Sequence, residues 1–287
     1  MDSSGIYALT ESTIVRVALE GGSPVTLGSS SPPRNLVSMI VTPDQIVWTS
    51  ATTLGSSATD DSVYAIAKTG GATQLIGASQ GFVHDLSADD AEIYWISDEQ
   101  AGSVHQSSIR AAPKAGGTVR TLISYPMRYI WSLAASGPRV QWLEVADNAF
   151  NLQLASAAKD ATDVRALMET PCGENVVRFT ADSLLCGFGR SVARFDLTTG
   201  ATTALGSYPE VLRWLGADAQ GAFLLTYGES RDAEGHLVST SSSLFDLSRR
   251  NQIAHAQFES RVAALDSRYL YWAPLDRLNP GLFRVHR

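Results

Sequence analysis

The sequence predicts an all-β fold, a seven-bladed β-propeller with six blades as the alternative count. Two recurring turns and the absence of a convincing long helix predict it. The first turn carries an aspartate and leads into an apolar run that ends in an aromatic residue. Its copies lie about 40 to 47 residues apart, which is the period of propeller blades. Four short strands per repeat, separated by Gly, Pro and Ser, are typical of four-stranded antiparallel blades.

The aspartate turn predicts the start of the second strand of each blade. The clearest copies are Asp44 to Trp48, Asp90 to Trp95 and Asp266 to Trp272; a fainter copy is Pro138 to Trp142, and degenerate copies are Asp182 to Cys186 and Asp218 to Leu224. Residues Asp2 to Tyr7 match Asp266 to Tyr271, which indicates that the sequence begins partway through a repeat.

The second recurring turn is a glycine pair that follows a strand-like run. The pairs are Gly21-Gly22, Gly70-Gly71 and Gly116-Gly117. Because glycine adopts positive φ angles, these pairs predict the hairpin between the third and fourth strands.

An apolar inner strand precedes each aspartate turn. The predicted inner strands are Leu36 to Val41, Phe82 to Leu86, Tyr129 to Leu133, Val176 to Phe179, Val211 to Leu215 and Val262 to Leu265. The best candidate for a helix, Ala155 to Met168, lies in register with the third and fourth strands of its repeat, so we expect strands there too.

The repeats form a single propeller domain of seven units, the first and last incomplete. Their approximate bounds are 1–33, 34–80, 81–126, 127–172, 173–208, 209–259 and 260–287. The first unit lacks an inner strand, which a propeller needs along its axis. We therefore expect the native reading frame to begin upstream of Met1 with a signal peptide, and the protein to be extracellular or periplasmic.

Composition excludes several classes of partner. The 287 residues carry 22 Lys and Arg against 29 Asp and Glu, a formal net charge of −7. A nucleic-acid binder or a polybasic membrane anchor would need the opposite balance. No apolar run approaches the roughly 20 residues that span a bilayer. We expect a monomer with no nucleic-acid partner and no membrane span.

Two motifs carry a resemblance to a known group of proteins. The pairs Tyr94-Trp95 and Tyr271-Trp272, with the Lys-x-Gly-Gly turns at Lys68 and Lys114, resemble YWTD-type and related bacterial extracellular propeller repeats. The Thr-Asp half of the motif is absent, because Ile96 and Ala273 follow the aromatic pairs. The resemblance implies the fold; such proteins are mostly binding scaffolds, and a few are enzymes.

One face of the predicted propeller has the longer loops. The loops between second and third strands are Thr49 to Ser62, Ser97 to Ser107, Glu144 to Asn148, Thr226 to Ser243 and Pro274 to Pro280. They are acidic, whereas arginines lie at or just before the inner strands: Arg34, Arg128, Arg178, Arg213 and Arg261. This pattern predicts an acidic rim around a mouth that attracts an anionic group. The alternative is that these arginines pair with carboxylates between blades.

Candidate binding residues lie at this mouth. The inner strands differ at equivalent positions, where His84, Trp131 and Arg213 occur, although independent drift of the repeats would also explain the difference. Two equivalent linkers between blades carry tyrosines, which could form aromatic platforms beside the arginines. The expected contacts are Tyr125, Arg128, Trp131, Arg178, Tyr208, Arg213 and Trp214.

The sequence shows no motif for a cofactor or a metal site. Its five histidines are scattered, and it has no G-x-S-x-G elbow, HExxH pair or phosphate-binding glycine loop. The acidic pairs Asp60-Asp61 and Asp98-Glu99 could hold calcium but are also ordinary for a solvated surface. Two cysteines, Cys172 and Cys186, either form a disulfide or remain free thiols.

Three functions are consistent with these patterns. The first is a non-enzymatic binding scaffold that recognises a peptide, protein or glycan at the loop-rich face. The second is a lyase or hydrolase acting on an anionic saccharide or ester, with His84 as base and Arg178 or Arg213 binding a carboxylate. The third is an architectural part of a larger protein.

Overall fold

The computed structural model describes most of the chain as β-strands. The described residues are 5–9, 13–20, 22–29, 35–51, 61–78, 81–101, 104–146, 152–170, 172, 176–180, 182–218, 221–257, 263–265, 269–272 and 283–286. They divide into two compact units, Met1–Glu169 and Thr170–Arg287.

The first unit contains one three-stranded and three four-stranded antiparallel sheets. Its strands are β1 (Ile6–Leu9), β2 (Thr13–Val17) and β3 (Val25–Ser29); β4 (Asn35–Val41), β5 (Gln45–Ala51), β6 (Ser62–Ala67) and β7 (Gln74–Ala78); β8 (Phe82–Ala88), β9 (Glu92–Ala101), β10 (Val104–Pro113) and β11 (Arg120–Pro126); and β12 (Arg128–Ser136), β13 (Arg139–Ala146), β14 (Gln153–Ala158) and β15 (Arg165–Glu169).

The second unit contains two four-stranded sheets and one three-stranded sheet. Its strands are β16 (Val176–Phe179), β17 (Ser183–Phe188), β18 (Ser191–Asp196) and β19 (Thr202–Ser207); β20 (Val211–Asp218), β21 (Gly221–Arg231), β22 (Leu237–Asp246) and β23 (Asn251–Ala256); and β24 (Ala263–Leu265), β25 (Tyr269–Trp272) and β26 (Phe283–His286).

Every sheet is a meander in which each strand pairs with the next one along the chain. The first strands of consecutive sheets contact each other within each unit: β4 with β8, β8 with β12, β16 with β20, and β20 with β24. Four-stranded meanders stacked in this way are propeller blades. The predicted β-propeller fold is confirmed.

The blade count needs a correction. The structure has the six-blade count that was the alternative, in place of seven. The described residues contain five complete four-stranded blades and two three-stranded sheets, β1–β3 and β24–β26, which correspond to the incomplete first and last units of the prediction. The predicted inner strands correspond to β4, β8, β12, β16, β20 and β24. The candidate helix is β14 and β15, and the described residues include no helix that could cross a membrane.

The aspartate turn and the glycine pair both have the structure that the repeat pattern predicts. Gly70, Gly71, Gly116 and Gly117 have positive φ angles between 76° and 142°. The aromatic residues of the aspartate-turn motif lie within the second strands and are buried, including Trp48, Trp95 and Trp142. Trp95 packs with Val47, Val63 and Ile76 of the preceding blade, so the repeated indole fills the space between two sheets. The aspartate-turn motif is therefore a packing motif.

Two predicted long loops are largely strand. Residues 97–107 contain the last part of β9 and the first part of β10. Residues 226–243 form the β21–β22 hairpin around a turn at 232–236. Serine, threonine and charged side chains there suggested loops, but the backbones pair in register: Thr226 lies opposite Ser243, and Glu229 opposite Thr240. Tertiary pairing overrides the weak strand propensity of such residues. Loop residues 52–60, 147–151 and 273–282 lie outside the described residues.

Hydrogen bonds from backbone N–H groups to side chains join neighbouring blades of the first unit. The backbone N–H of Leu133 donates to Asp85 Oδ2 over 2.6 Å, and the N–H of Ala135 donates to Ser87 Oγ over 2.9 Å. The N–H of Val83 donates to Asp61 Oδ2 over 3.0 Å. These side chains accept hydrogen bonds from backbone N–H groups of the adjacent inner strand, so they stabilise the contact between neighbouring blades.

Cys172 and Cys186 form a disulfide. Their Cα atoms lie 5.0 Å apart, and 14 residues separate them in sequence. The bond ties the segment that precedes β16 to β17, which decides the alternative that the sequence left open. A disulfide is typical of proteins that fold outside the reducing cytosol.

Candidate functional site

Several inner strands carry a β-bulge at an equivalent position. The register shifts between His84 and Leu86 in β8, between Ile130 and Ser132 in β12, and between Leu212 and Trp214 in β20. The extra residues are Asp85, Trp131 and Arg213. Bulges are frequent next to binding sites because they change the direction of a side chain. Two of the expected contacts, Trp131 and Arg213, are thus bulge residues with exposed side chains.

An exposed aromatic patch lies on the first unit, at the end of the sheets where second strands end and third strands begin. We define it as Phe82, His84, His105, Tyr129 and Trp131. The side chains of the phenylalanine, tyrosine and tryptophan are 40%, 39% and 42% exposed. Phe82 stacks on His84 with ring centroids 5.4 Å apart, and His105 stacks on Tyr129 at 4.0 Å. Trp131 lies 6.5 Å from Tyr129 at a tilt of 37°.

Asp98 lies beneath the aromatic patch and positions both imidazoles. His84 Nε2 donates a hydrogen bond to Asp98 Oδ2 over 2.9 Å. His105 Nε2 lies 3.7 Å from Asp98 Oδ1 and 3.2 Å from Ser107 Oγ. Because β8 pairs with β9, and β9 with β10, the sheet itself brings these residues together.

The Asp98 cluster does not have the geometry of a catalytic triad. The hydroxyl of Ser107 donates to Asp98 Oδ1, so its proton is directed away from histidine. The N–H of Ile130 donates to the same hydroxyl oxygen over 3.3 Å, and Ser107 is fully buried. The single atom His105 Nε2 faces both the serine and the aspartate, whereas a triad needs the two ring nitrogens to face different partners. The cluster is suited to fixing ring orientation.

Aliphatic side chains border the aromatic patch. Met127 is 55% exposed and Val104 is 39% exposed. The N–H of Met127 donates to the carbonyl oxygen of His105 over 2.8 Å, and Val104 precedes His105 in β10. Adjacent exposed apolar side chains of this size mark a surface that is suited to contact with another molecule.

Arg128 has a partner within its own sheet. Its Nη1 donates to Oε1 of Glu144, whose side chain is only 4% exposed, while that of Arg128 is 41% exposed. Trp142 Nε1 donates to Glu144 Oε2 over 2.6 Å. The guanidinium carbon lies 5.1 Å from the centroid of the Tyr125 ring. Burial and then the Glu144 charge raise the pKa of Tyr125, while Arg128 opposes that shift.

The second unit places Arg213 at a cavity of about 620 Å³. Its guanidinium carbon lies 4.6 Å from the centroid of the Tyr227 ring. Polar and charged residues dominate the wall, among them Arg190, Glu210, Arg213, Glu229, Ser241 and Gln257.

The remaining expected contacts are dispersed over the second unit. Tyr208 is buried and its ring meets Phe245 edge-on at 4.9 Å, so it is not the exposed aromatic platform that the linker pattern predicted. Trp214 is partly buried and packs on the core residues Phe223, Leu225 and Leu244. Arg178 is exposed on β16 and forms no ion pair with a carboxylate in the described part of the chain.

Candidate cation ligands are few among the described residues. Asp232, Glu234 and His236 offer ligand atoms within 4.8 Å of one another at the exposed β21–β22 turn. Of the acidic pairs considered from sequence, Asp98 is held by His84 and Ser107, and Glu99 pairs with Arg110. Those two carboxylates are committed to protein contacts.

Sequence reasoning missed most members of the aromatic patch. It singled out His84 and Trp131 but not Phe82, His105 or Tyr129. The available signal was that a large aromatic ring lies at the first residue of β8, Phe82, and at the second residue of β12, Tyr129, where strand entry on the loop-rich face exposes side chains. Asp98 and His105 lie at the ends of β9 and β10, in a segment that was expected to be a loop.

No known protein family and no curated protein matches the sequence. Solved structures do match it. Over 88% of this chain and 92% of the other, it resembles a chain of the nidogen/laminin complex with 14% identity and a TM-score of 0.60. It resembles oligogalacturonate lyase from Vibrio parahaemolyticus with 8% identity and a TM-score of 0.60, covering 77% of this chain and 70% of that one. A prolyl endopeptidase matches with 10% identity and a TM-score of 0.67 over 99% of this chain but 46% of its own.

At these identities the likeness shows the fold alone. The match to the nidogen complex supports the resemblance to YWTD-type propellers at the level of the fold. The matched proteins include both binding proteins and enzymes by their names, so function must be argued from the residues of this chain.

Proposed function

We propose that this chain is a binding module, and that the aromatic patch recognises a protein or peptide partner. The observation that carries the proposal is the cluster of exposed rings Phe82, Tyr129 and Trp131 held around His84 and His105. Tryptophan and tyrosine dominate the binding energy of protein interfaces when they lie at the centre of a desolvated contact.

The border of the aromatic patch favours a polypeptide over a glycan. Sugars bind to aromatic faces through stacking, with polar groups placed around their hydroxyls. Here the exposed side chains at the border are Met127 and Val104, and Arg128 lies next to them. Methionine and arginine are enriched with aromatic residues at protein interfaces. Aliphatic side chains of a partner would bury more apolar surface on this border than a saccharide could.

The support beneath the aromatic patch lowers the entropic cost of binding. Asp98 holds His84 from one side, and Ser107 and Tyr129 hold His105. The rings are thus ordered before a partner arrives. Preordered side chains lose less conformational entropy on association, so more of the contact energy appears as affinity.

We also propose an extracytoplasmic location, because the Cys172–Cys186 disulfide persists in oxidising compartments. The enzyme alternative stays a prediction. His84 donates from Nε2 to Asp98, which leaves its other ring nitrogen, Nδ1, available to act as a base.

The test is a selection from a random peptide library displayed on phage, with binding of the selected peptides then measured by isothermal titration. We expect peptides that lose at least about 30-fold in affinity on Trp131→Ala, because a central aromatic residue contributes about 2 kcal/mol or more. Tyr129→Ala should weaken the same peptides. Phe188→Ala is the matched control, since Phe188 is 67% exposed on β17 and lies outside the aromatic patch.

Three outcomes would count against the proposal. One is that the library yields no binder, and another is that binders are equally sensitive to Phe188→Ala. The third is that a glycan array, run in parallel, returns ligands lost on Trp131→Ala while no peptide is selected, which would assign the aromatic patch to saccharides.

A further inference from the structure

The cavity at β20–β22 is separate from the aromatic patch, because all of its walls belong to the second unit. Its volume of about 620 Å³ is within the range of small-molecule sites. Of its wall residues, only Val211 and Pro209 are aliphatic. A ligand of this cavity must therefore be small and polar.

The wall of the cavity includes Arg213, a positive charge that no carboxylate of the described residues pairs with directly. Arg213 is a bulge residue of β20, so its backbone position is set by the strand on either side. Its guanidinium carbon lies 4.6 Å from the centroid of the Tyr227 ring, and Tyr227 donates its hydroxyl to Glu229 Oε1 over 2.8 Å. No carboxylate of the described residues accepts a hydrogen bond from the Arg213 guanidinium, so its N–H groups stay available for a bidentate contact with a carboxylate.

Glu229 does not supply the missing anion to Arg213. Its Oε2 accepts hydrogen bonds from Nε and Nη2 of Arg231 over 3.1 and 2.7 Å. Arg231 chiefly, then Tyr227, lowers the pKa of Glu229, and the more distant charge of Arg213 adds to the shift. The carboxylate of Glu229 is therefore already paired with the guanidinium of Arg231.

The same wall includes Glu210, a carboxylate without a cation partner among the described residues. Thr226 Oγ1 donates to Glu210 Oε2, and Ser241 Oγ donates to Glu210 Oε1 over 3.4 Å. Within the described residues, Glu210 forms no ion pair with Arg213 or with Arg190, although all three line the same cavity. A carboxylate accepts about four hydrogen bonds, so Glu210 retains capacity for a charged donor.

Gly228 makes room for this arrangement. A Cβ atom at that position would lie 2.7 Å from Glu210 Oε1 and 2.9 Å from Ser241 Oγ. Such distances are too short for nonbonded atoms, so a side chain there would shift the Glu210 carboxylate and the Ser241 hydroxyl, which are the ends of flexible side chains.

We propose that this cavity binds a zwitterionic small molecule of the α-amino-acid class. Arg213 receives the ligand carboxylate and Glu210 receives its ammonium group. Opposite charges held apart in one cavity are each poorly compensated by the protein, and a ligand with both charges compensates both at once. Ser230, Ser239 and Gln257 provide donors and acceptors for a polar side chain of the ligand. The proposal goes beyond the binding function assigned to the aromatic patch and does not depend on it.

The experiment is isothermal titration of the whole chain with L-serine and L-glutamine. Each is compared with its N-acetyl derivative, which lacks the ammonium charge, and with its amide, which lacks the carboxylate. We expect both derivatives to bind at least tenfold more weakly than the parent amino acid. In Arg213→Gln the parent amino acid should bind no more tightly than its amide, because the partner of the ligand carboxylate is gone. In Glu210→Gln the parent should bind no more tightly than its N-acetyl derivative, because the partner of the ligand ammonium group is gone.

Two further variants keep the result interpretable. Arg194→Gln is the matched control, because Arg194 is an exposed arginine of the same unit that pairs with Asp182 outside the cavity. It should leave affinity unchanged. Gly228→Ala should weaken binding like Glu210→Gln, and thermal melting confirms that each variant is folded. The proposal would be overturned if neither L-serine nor L-glutamine binds at millimolar concentration, or if the N-acetyl derivatives bind as tightly as the parent amino acids. An affinity loss on Arg194→Gln as large as that on Arg213→Gln would also overturn it.

Discussion

Arg128 neutralises a buried carboxylate, and its removal should therefore cost stability. In Arg128→Met the methylene stem is largely retained while the charge partner of Glu144 is lost. Breaking a buried ion pair from one side costs about 3–5 kcal/mol. Because the arginine side chain is 41% exposed, solvent screens part of that interaction, and we expect a loss of about 2 kcal/mol. For a folding unit of this size the loss corresponds to a drop in Tm of about 4–8 °C.

A double-mutant cycle with Glu144 can separate the loss of the ion pair from a general loss of packing at Arg128. Glu144→Gln removes the charge but keeps an oxygen that accepts from Trp142 Nε1, so it should cost no more than about 1 kcal/mol. The double variant should be more stable than Arg128→Met alone by about 1 kcal/mol, since no unpaired charge remains. The assay is urea unfolding followed by circular dichroism. Single-variant losses that simply add in the double variant, or an Arg128→Met variant as stable as wild type, would refute the ion-pair explanation.

Three further predictions concern stability. Replacing Cys172 and Cys186 by serine should cost about 3 kcal/mol for a loop of 14 residues, and a reductant should bring wild type to the stability of the variant in urea unfolding. Burial raises the pKa of Asp89, but hydrogen bonds that its carboxylate accepts from Lys159 and from two backbone N–H groups lower it further, to about 2. The resulting stabilisation is complete above pH 4 and is lost as pH falls toward 2; Lys159→Met should flatten this part of a plot of Tm against pH. Gly77→Ala should cost about 1–3 kcal/mol in urea, because the new Cβ would lie 2.8 Å from an indole of the next blade; an unchanged midpoint would contradict that packing.

The arginines near the inner strands illustrate how one residue type takes different roles in one fold. The sequence offered two explanations for them, an anion-attracting mouth or carboxylate pairs between blades. Arg128 follows neither in full, since its partner Glu144 belongs to the same sheet. Arg213 has an aromatic partner and a cavity, and Arg178 is exposed without a carboxylate among the described residues. Spacing along the chain could not separate these cases, because it does not specify which side chain lies across the strand.

The repeat pattern was sufficient to predict the blades. Trp48, Trp95 and Trp142 recur as buried residues of the second strands, and glycine pairs recur where a hairpin needs positive φ. Both signals are local and periodic, so they can be read from residue types and their spacing. The all-β class, the meander order and the inner strands followed from them.

Tertiary structure decided how residues group into the candidate sites. The differences between inner strands pointed to Trp131 and Arg213, but the β-bulges that turn these side chains outward arise only when the strands pair. The Asp98 cluster likewise depends on register, because His84 and His105 come from strands on either side of β9. The sequence by itself determined the propeller, since periodic burial requires only the right residue type at each repeat. The sites depend on side-chain direction and cross-strand register, which are fixed only when the sheets pair and pack.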